Sequence, residues 1–318
     1  MLIGLDHIII GVNNLEQAAR TFSEKLGLVV SGGGTHPSGG TANRIIVIGD
    51  TYIELIAVRN RDEAQQSMLE RLAKGEGYLN FVLASDDIQA DSAEMQKRGV
   101  KIVGPGAGAL TSAGGRTRGW KRTNVERPDL TQHYPFLIQH DSTGEERRSR
   151  LAGWRTPPEH PLGATKVLSA TIAVEDLGEA TERFQHIYGI QASEQFSGEV
   201  DSWDAILVSF LLHASLQSFE LATPLPTILD PTDGAQYIPE PGALAFYLQR
   251  FGESLCRITL AVDSLERARD YLDEHEVVYT YREEPRSVMW IHPDQACGAA
   301  LVLHEFTPEI PPDFPLVP

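Results

Sequence analysis

"LDHIIIGVNNLEQAARTFSEKLGL", residues 5–28, joins an apolar strand to an amphipathic helix through a short polar turn. In its first part Ile8 and Ile10 alternate with His7 and Ile9, and in its last Leu15, Ala18, Ala19, Phe22 and Leu26 recur at helical spacing. Asn14 stands as an N-cap with Gln17 three residues on, as in a capping box, and Gly27 closes the helix. The runs "RIIVIG" (44–49) and "YIELIAV" (52–58) follow, parted by Asp50 and Thr51, and read as a hairpin. One unit is therefore strand, helix, then further strands.

That order returns three times, at residues 78–103, 166–190 and 255–278. The turn fixes the register: Val12-Asn13-Asn14-Leu15 matches Ser85-Asp86-Asp87-Ile88, Val174-Glu175-Asp176-Leu177 and Val262-Asp263-Ser264-Leu265. The strands "PFLIQHD" (135–141), "SFELATP" (218–224) and "AALVLHEF" (299–306) complete the later units. Between the second and third units, "STGEERRSRLAGWRTPPEHPLGA" (142–164) is polar and broken by three prolines, the composition of a linker. The expected organisation is two domains, 1–142 and 165–318, joined by residues 143–164. A helix is expected between the first two units, in "RDEAQQSMLERLAKG" (61–75), and a long loop over residues 223–242.

Composition narrows the function classes. With 318 residues, 42% of them hydrophobic and 22% charged, the chain has enough apolar material for two cores. No apolar run approaches the roughly 20 residues of a membrane helix, and the N-terminus lacks the pattern of a signal peptide. Cys256 and Cys297 form no CxxC spacing and read as reduced thiols, a single disulfide being the other option, so the expected address is cytoplasmic. A formal charge of −17 disfavours nucleic acid, and the short basic run Arg116–Arg122 does not reverse it. The expected partner is a small molecule, with a monomer or homodimer as the assembly.

Four βαβββ units taken in pairs, opening with "LDHIII" and closing with "YIELIAV", resemble the vicinal oxygen chelate superfamily. Its members include glyoxalase I, extradiol dioxygenases and bleomycin resistance proteins. "HPSGGTANRIIVIGDTYIELIAV" and "PFLIQHD" look most like its glyoxalase-like branch. The resemblance implies an α+β fold of two paired-module half-barrel domains. It also implies a divalent metal (Mn, Fe, Ni, Co or Zn) in the N-terminal cup, serving lyase, isomerase or dioxygenase chemistry on a small oxygen-bearing substrate. Metal-free sequestration of a small ligand, as in bleomycin resistance, is the competing function.

Strand alternation sends His7 and Glu54 into the cup while Ile8, Ile10, Ile53 and Leu55 pack against the helix. The resemblance makes His7 and Glu54 metal ligands; carried into the second unit, the register puts Asn80 at the place equivalent to His7 and Gln139 at that of Glu54, which the resemblance makes the third ligand, with His140 one residue out of phase and facing away. Neutral amides ligate poorly, which leaves Asn80 as a departure from the family pattern. In the third and fourth units the equivalent places hold Ser169, Glu220, Arg257 and Val302, so no ligand cluster is expected there, and Glu220 is expected to pair with Arg257.

Two loops add candidates. "GGGTHPSGGTANR" (32–44) displays His36, read either as a catalytic acid–base group or as a surface histidine, and leads into Asn43, a substrate contact. In "GGRTRGWKR" (114–122), Arg116 and Trp120 are assigned to the substrate pocket, as a carboxylate or phosphate clamp and a stacking ring, while Arg118 and Lys121 are assigned to solvent.

Overall fold

The computed structural model describes residues 1–36, 39–111, 115, 117–126, 134–142, 144–200, 205–225, 244–283 and 287–306. The first unit runs β1 (Leu2–Val12), α1 (Leu15–Arg20, continued by a π-turn to Lys25), β2 (Ser31–Thr35), β3 (Thr41–Ile48) and β4 (Thr51–Val58). After α2 (Gln66–Lys74) come β5 (Gly77–Ser85), α3 (Ile88–Lys97), β6 (Ile102–Thr111), β7 (Thr117–Val125) and β8 (Phe136–His140). Helix α4 (Gly144–Ala152) leads to β9 (Ala164–Ala173), α5 (Leu177–Tyr188), β10 (Ser193–Val200), β11 (Ala205–Leu212) and β12 (Gln217–Pro224). Then follow α6 (Leu244–Phe251), β13 (Ser254–Val262), α7 (Leu265–Glu274), β14 (Tyr279–Arg282), β15 (Val288–Ile291) and β16 (Ala300–Glu305).

The caps fall where the turn register puts them. Asn14, Asp87, Asp176 and Ser264 each accept a hydrogen bond from the backbone N–H three residues on, satisfying a donor that the first helical turn leaves open. Each pair of units forms one eight-stranded sheet. The first is ordered β2-β3-β4-β1-β5-β8-β7-β6 and the second β10-β11-β12-β9-β13-β16-β15-β14, the same order eight strands later. In the first sheet β1 lies parallel to β4 and antiparallel to β5, so the two units join back to back. Its edges approach across the cup, where Leu110 of β6 faces Gly34 of β2.

One apolar layer serves both sheets. Ile8, Ile10, Ile53, Phe81 and Leu137 of the first meet Ala170, Phe219, Ile258 and Leu301 of the second, and α1, α3, α5 and α7 add Phe22, Met95, Phe184 and Leu272. Polar groups cross the layer as well. The Tyr78 hydroxyl donates to the Ala300 carbonyl at 2.7 Å, and the Tyr188 hydroxyl to that of Pro135 at 2.7 Å. The Gln217 side chain accepts from the Leu5 N–H at 2.9 Å and donates to Thr51 Oγ1 and the Val167 carbonyl at 2.9 and 2.8 Å.

The stretch read as a linker is more than a spacer, because residues 144–152 fold into α4 and lie over the first cup. Leu151, Ala152 and Trp154 pack on Ile45, Val47 and Tyr52, and Arg147 reaches Asp6. His160 of the same stretch accepts from the Val29 N–H at 2.9 Å and lies 2.9 Å from the Val47 carbonyl. The expected long loop falls almost wholly outside the described residues. Among the described residues, no helix is long and apolar enough to cross a membrane.

Because Gln217 is buried, Gln217→Ala leaves the Leu5 N–H and the Val167 carbonyl without this partner, while the Thr51 hydroxyl keeps its bond to the Leu5 carbonyl. The expected loss is about 3 kcal/mol, read as a lower urea midpoint at unchanged slope.

Candidate active site

The cup-facing side of the first sheet is built by strands whose alternate residues feed the apolar layer. On β4, Ile53 and Leu55 go to that layer while Tyr52 and Glu54 face the cup; on β3, Ile46 and Ile48 go inward while Asn43, Ile45 and Val47 face the cup. On β1 the pairing with β5 shifts register between Leu5 and His7. Such a bulge lets consecutive side chains share a side, and Asp6 and His7 both reach cup residues.

At the centre is Glu54. Its Oε1 accepts from Asn43 Nδ2 at 2.5 Å and lies 3.4 Å from His36 Nε2, while Oε2 lies 3.9 Å from His7 Nε2. His36 is held through Nδ1 by the Thr41 hydroxyl at 2.8 Å. Burial pushes the Glu54 carboxyl up, but the hydrogen bond from His36, the charges of His7 and His36 and the Asn43 amide outweigh it and hold the group down at about 2. The His7 ring stacks on Tyr52 at 4.6 Å and meets the edge of Phe136 at 6.0 Å.

Behind His7 lies Asp6, only 1% exposed. Its Oδ1 is 2.7 Å from His7 Nδ1 and 3.2 Å from His140 Nε2, and Oδ2 accepts from Arg147 Nη1 at 2.7 Å. Burial opposes its ionisation, yet His140, His7 and Arg147 together keep the carboxyl well below the usual carboxylate range. An ionised Asp6 fixes His7 with its proton on Nδ1 and Nε2 turned to Glu54. Asp6 escaped the sequence reading because regular alternation points it away from His7; the acidic neighbour in "DH" was the available signal.

Four sequence expectations change, those for Gln139, His140, Asn43 and Arg118. Gln139 lies outside the cup: its Oε1 accepts from the Ile88 N–H at 3.3 Å and its amide donates to the Asp86 carbonyl, both at the start of α3. The side chains of β8 that face the cup are Phe136, Ile138 and His140, since Leu137 belongs to the apolar layer. Asn43 supports Glu54 and accepts from the Gly34 N–H at 2.8 Å, which commits its amide to the protein. Arg118, assigned to solvent, is 8% exposed and lies on the cup side with Trp120, its guanidinium 5.8 Å from the Trp120 ring and 6.0 Å from that of Tyr52. Arg116 is outside the described residues.

The donors do not fit a metal shell. Gln139 faces away, Asp6 is taken by three partners, and Asn80 donates to the Tyr134 carbonyl at 2.9 Å while accepting from the Phe81 N–H. Among the described residues, no group of three His, Cys, Asp or Glu side chains is arranged to hold a metal ion. What the cup does hold is one ionised carboxylate between two imidazoles. On the far side of Asn43 is a narrow space of about 10 Å³, room for about one water, lined by Gly33, Asn43, Ile45, Leu110, Arg118, Arg150 and Leu151.

The second cup is reduced to a salt bridge. Arg257 Nη2 lies 3.4 Å from Glu220 Oε2, as expected, and the Thr171 hydroxyl donates to the same oxygen at 2.5 Å. Helix α6 covers this face, with Leu244 against Ala173, Ala205, Ala222 and Cys256.

The glyoxalase-like domain family model matches residues 5–188, more than half of the chain. No curated protein matches. Among solved structures, the chain is similar to a hypothetical protein from Staphylococcus aureus, at 14% identity and a TM-score of 0.64, over 96% of this chain and 100% of that one. It is also similar to a variant of 4-hydroxymandelate synthase from Streptomyces coelicolor, at 11% identity and a TM-score of 0.63, over 96% and 94% of the two chains. At these identities the likeness is one of fold.

Glu54 titrates at about 2 in the folded protein against 4.5 ordinarily, so its contribution to stability is complete above about pH 4.5 and is lost as the pH falls toward 2. Urea unfolding across that window is expected to show a steeper acid loss for the wild type than for Glu54→Gln, the difference reaching about 3 kcal/mol at most.

Proposed function

Because the chain belongs to the glyoxalase-like domain family of the vicinal oxygen chelate superfamily, we propose that its first cup is the active site of an enzyme that moves a proton on a small oxygen-bearing substrate. The observation that carries this reading is the buried Glu54 carboxylate set between His7 Nε2 and His36 Nε2. A substrate whose C–H or O–H reaches the exposed side of His36 meets a base. With Nε2–H donated to Glu54, His36, 21% exposed on its loop, takes or returns the proton at Nδ1, where the substrate displaces the Thr41 hydroxyl, and Glu54 stabilises the imidazolium that results. Asp6 holds His7 from the opposite side, fixing its tautomer. Such an arrangement suits isomerase or lyase chemistry beside a carbonyl.

Family relatives place a divalent metal in this cup, and the donor set here supports proton transfer by the protein's own groups instead. The same donor set keeps plain binding of a small molecule in play as the second reading.

The test is proton–deuteron exchange in D₂O, followed by proton NMR on a panel of 2-oxo acids, hydroxyketones and their neutral amides. Wild type is expected to exchange the proton next to the carbonyl of at least one compound, unaffected by a chelator. His36→Asn and Glu54→Gln are expected to slow it by about 10² or more. Compounds that bind without exchanging would leave a binding protein. Exchange that a chelator abolishes and Mn or Zn restores would return the chemistry to a metal.

A further inference from the structure

We infer that the molecule held in the first cup is a carboxylate, and that Arg118 is the residue that recognises it. The inference rests on the first cup being the substrate site and adds the charge of what enters it. Arg118 is 8% exposed, and its Nη1 is buried with no hydrogen-bond partner. Among the described residues no carboxylate lies within ion-pair distance of it, whereas every other buried charge of this cup is matched: Asp6 by Arg147 and two imidazoles, Glu54 by His36, His7 and Asn43. A buried guanidinium without a partner is costly, and folded proteins leave few such groups except where a ligand completes them.

The position of Arg118 favours an anion of limited size. Its guanidinium shares the narrow space with Asn43 and Arg150, and the Asn43 amide on the wall of that space holds Glu54. Arg150 is engaged at Asp141, 3.1 Å away, and at Glu146, which leaves Arg118 as the charge still to be met. The Tyr52 and Trp120 rings lie 6.0 and 5.8 Å from the guanidinium. The planar fork of an arginine matches a carboxylate, which accepts two parallel hydrogen bonds. A phosphate would present a third oxygen to apolar Leu110 and Leu151.

The experiment measures binding by calorimetry and thermal shift, using formate, acetate and pyruvate, their neutral amides, and inorganic phosphate. The proteins are wild type, Arg118→Met, Arg118→Lys and Glu54→Gln. The carboxylates are expected to bind and raise the melting temperature, since a ligand held by the folded state alone stabilises it, and the amides are not. Arg118→Met is expected to weaken carboxylate binding by about tenfold or more, with Arg118→Lys between. Without ligand, Arg118→Met is expected to melt at or above the wild-type temperature, because an unmet buried charge has been removed; an arginine serving only the fold would show the reverse.

The inference is overturned if Arg118→Met binds carboxylates as wild type does, if amides bind as well as acids, if phosphate binds where carboxylates do not, or if none of the probes binds. Carboxylate binding that depends on Arg118 but is never accompanied by proton exchange would keep this inference and remove the acid–base reading. Exchange on neutral amides that Arg118→Met leaves intact would do the opposite.

Discussion

Phe81 of the first sheet and Phe219 of the second meet with ring centroids 6.1 Å apart, in the middle of an apolar layer that takes one face of each sheet and a side of four helices. The rest of the structure depends on that layer. A strand has two faces, and once Ile8, Ile10, Ile53 and Leu55 are committed to the common interior, the intervening positions of β1 and β4 are released from packing duty. His7 and Glu54 occupy positions so released. The four capped helices serve the same end, since each turns the chain back so that its apolar stripe closes the layer.

The released face is unusual in how much charge it keeps out of water. Desolvation alone would neutralise both Asp6 and Glu54; what keeps them ionised is a surround of imidazole, guanidinium and amide groups that no single strand supplies. Helix α4 contributes to that surround through Arg147, so a segment outside the repeated units helps to set the charge state within one of them. In the second sheet, among the described residues, Glu220, Arg257 and the Thr171 hydroxyl of the corresponding face meet one another, and the Arg257 guanidinium lies 5.2 Å from the Trp290 ring. One strand order thus carries two different charge arrangements, buried carboxylates beside imidazoles in one half and a carboxylate–guanidinium pair in the other.

Much of this was legible in the chain. The repeated turn with its Asn, Asp, Asp and Ser caps gives the number of units, and alternation in "LDHIII" and "YIELIAV" correctly sends His7 and Glu54 to one side. Where reading stopped, the causes were local. Strand β8 follows a long connection and is five residues long, so nothing in sequence anchors its parity, and Gln139 was exchanged for His140. Asp6 was hidden by a bulge, which breaks the rule that neighbours diverge. Helix α4 carries arginines where an amphipathic helix carries leucines, so apolar periodicity was silent, and its arginines meet Asp6, Asp50 and Asp141 beside the packing of Leu151. Arg118 was recoverable, because it sits two residues from Trp120 and shares its side of the strand.

The common interior also bears on how such a chain can change over time. Removing the second sheet would bare Phe81, Tyr78, Leu137 and the inner sides of α1 and α3 to water. Each half is thereby retained by its inward side, whatever its outward side carries. Repetition in this architecture acts as a ratchet: once two sheets share one interior neither can be discarded, and the outward faces are the parts of the molecule that can change at least risk to the fold.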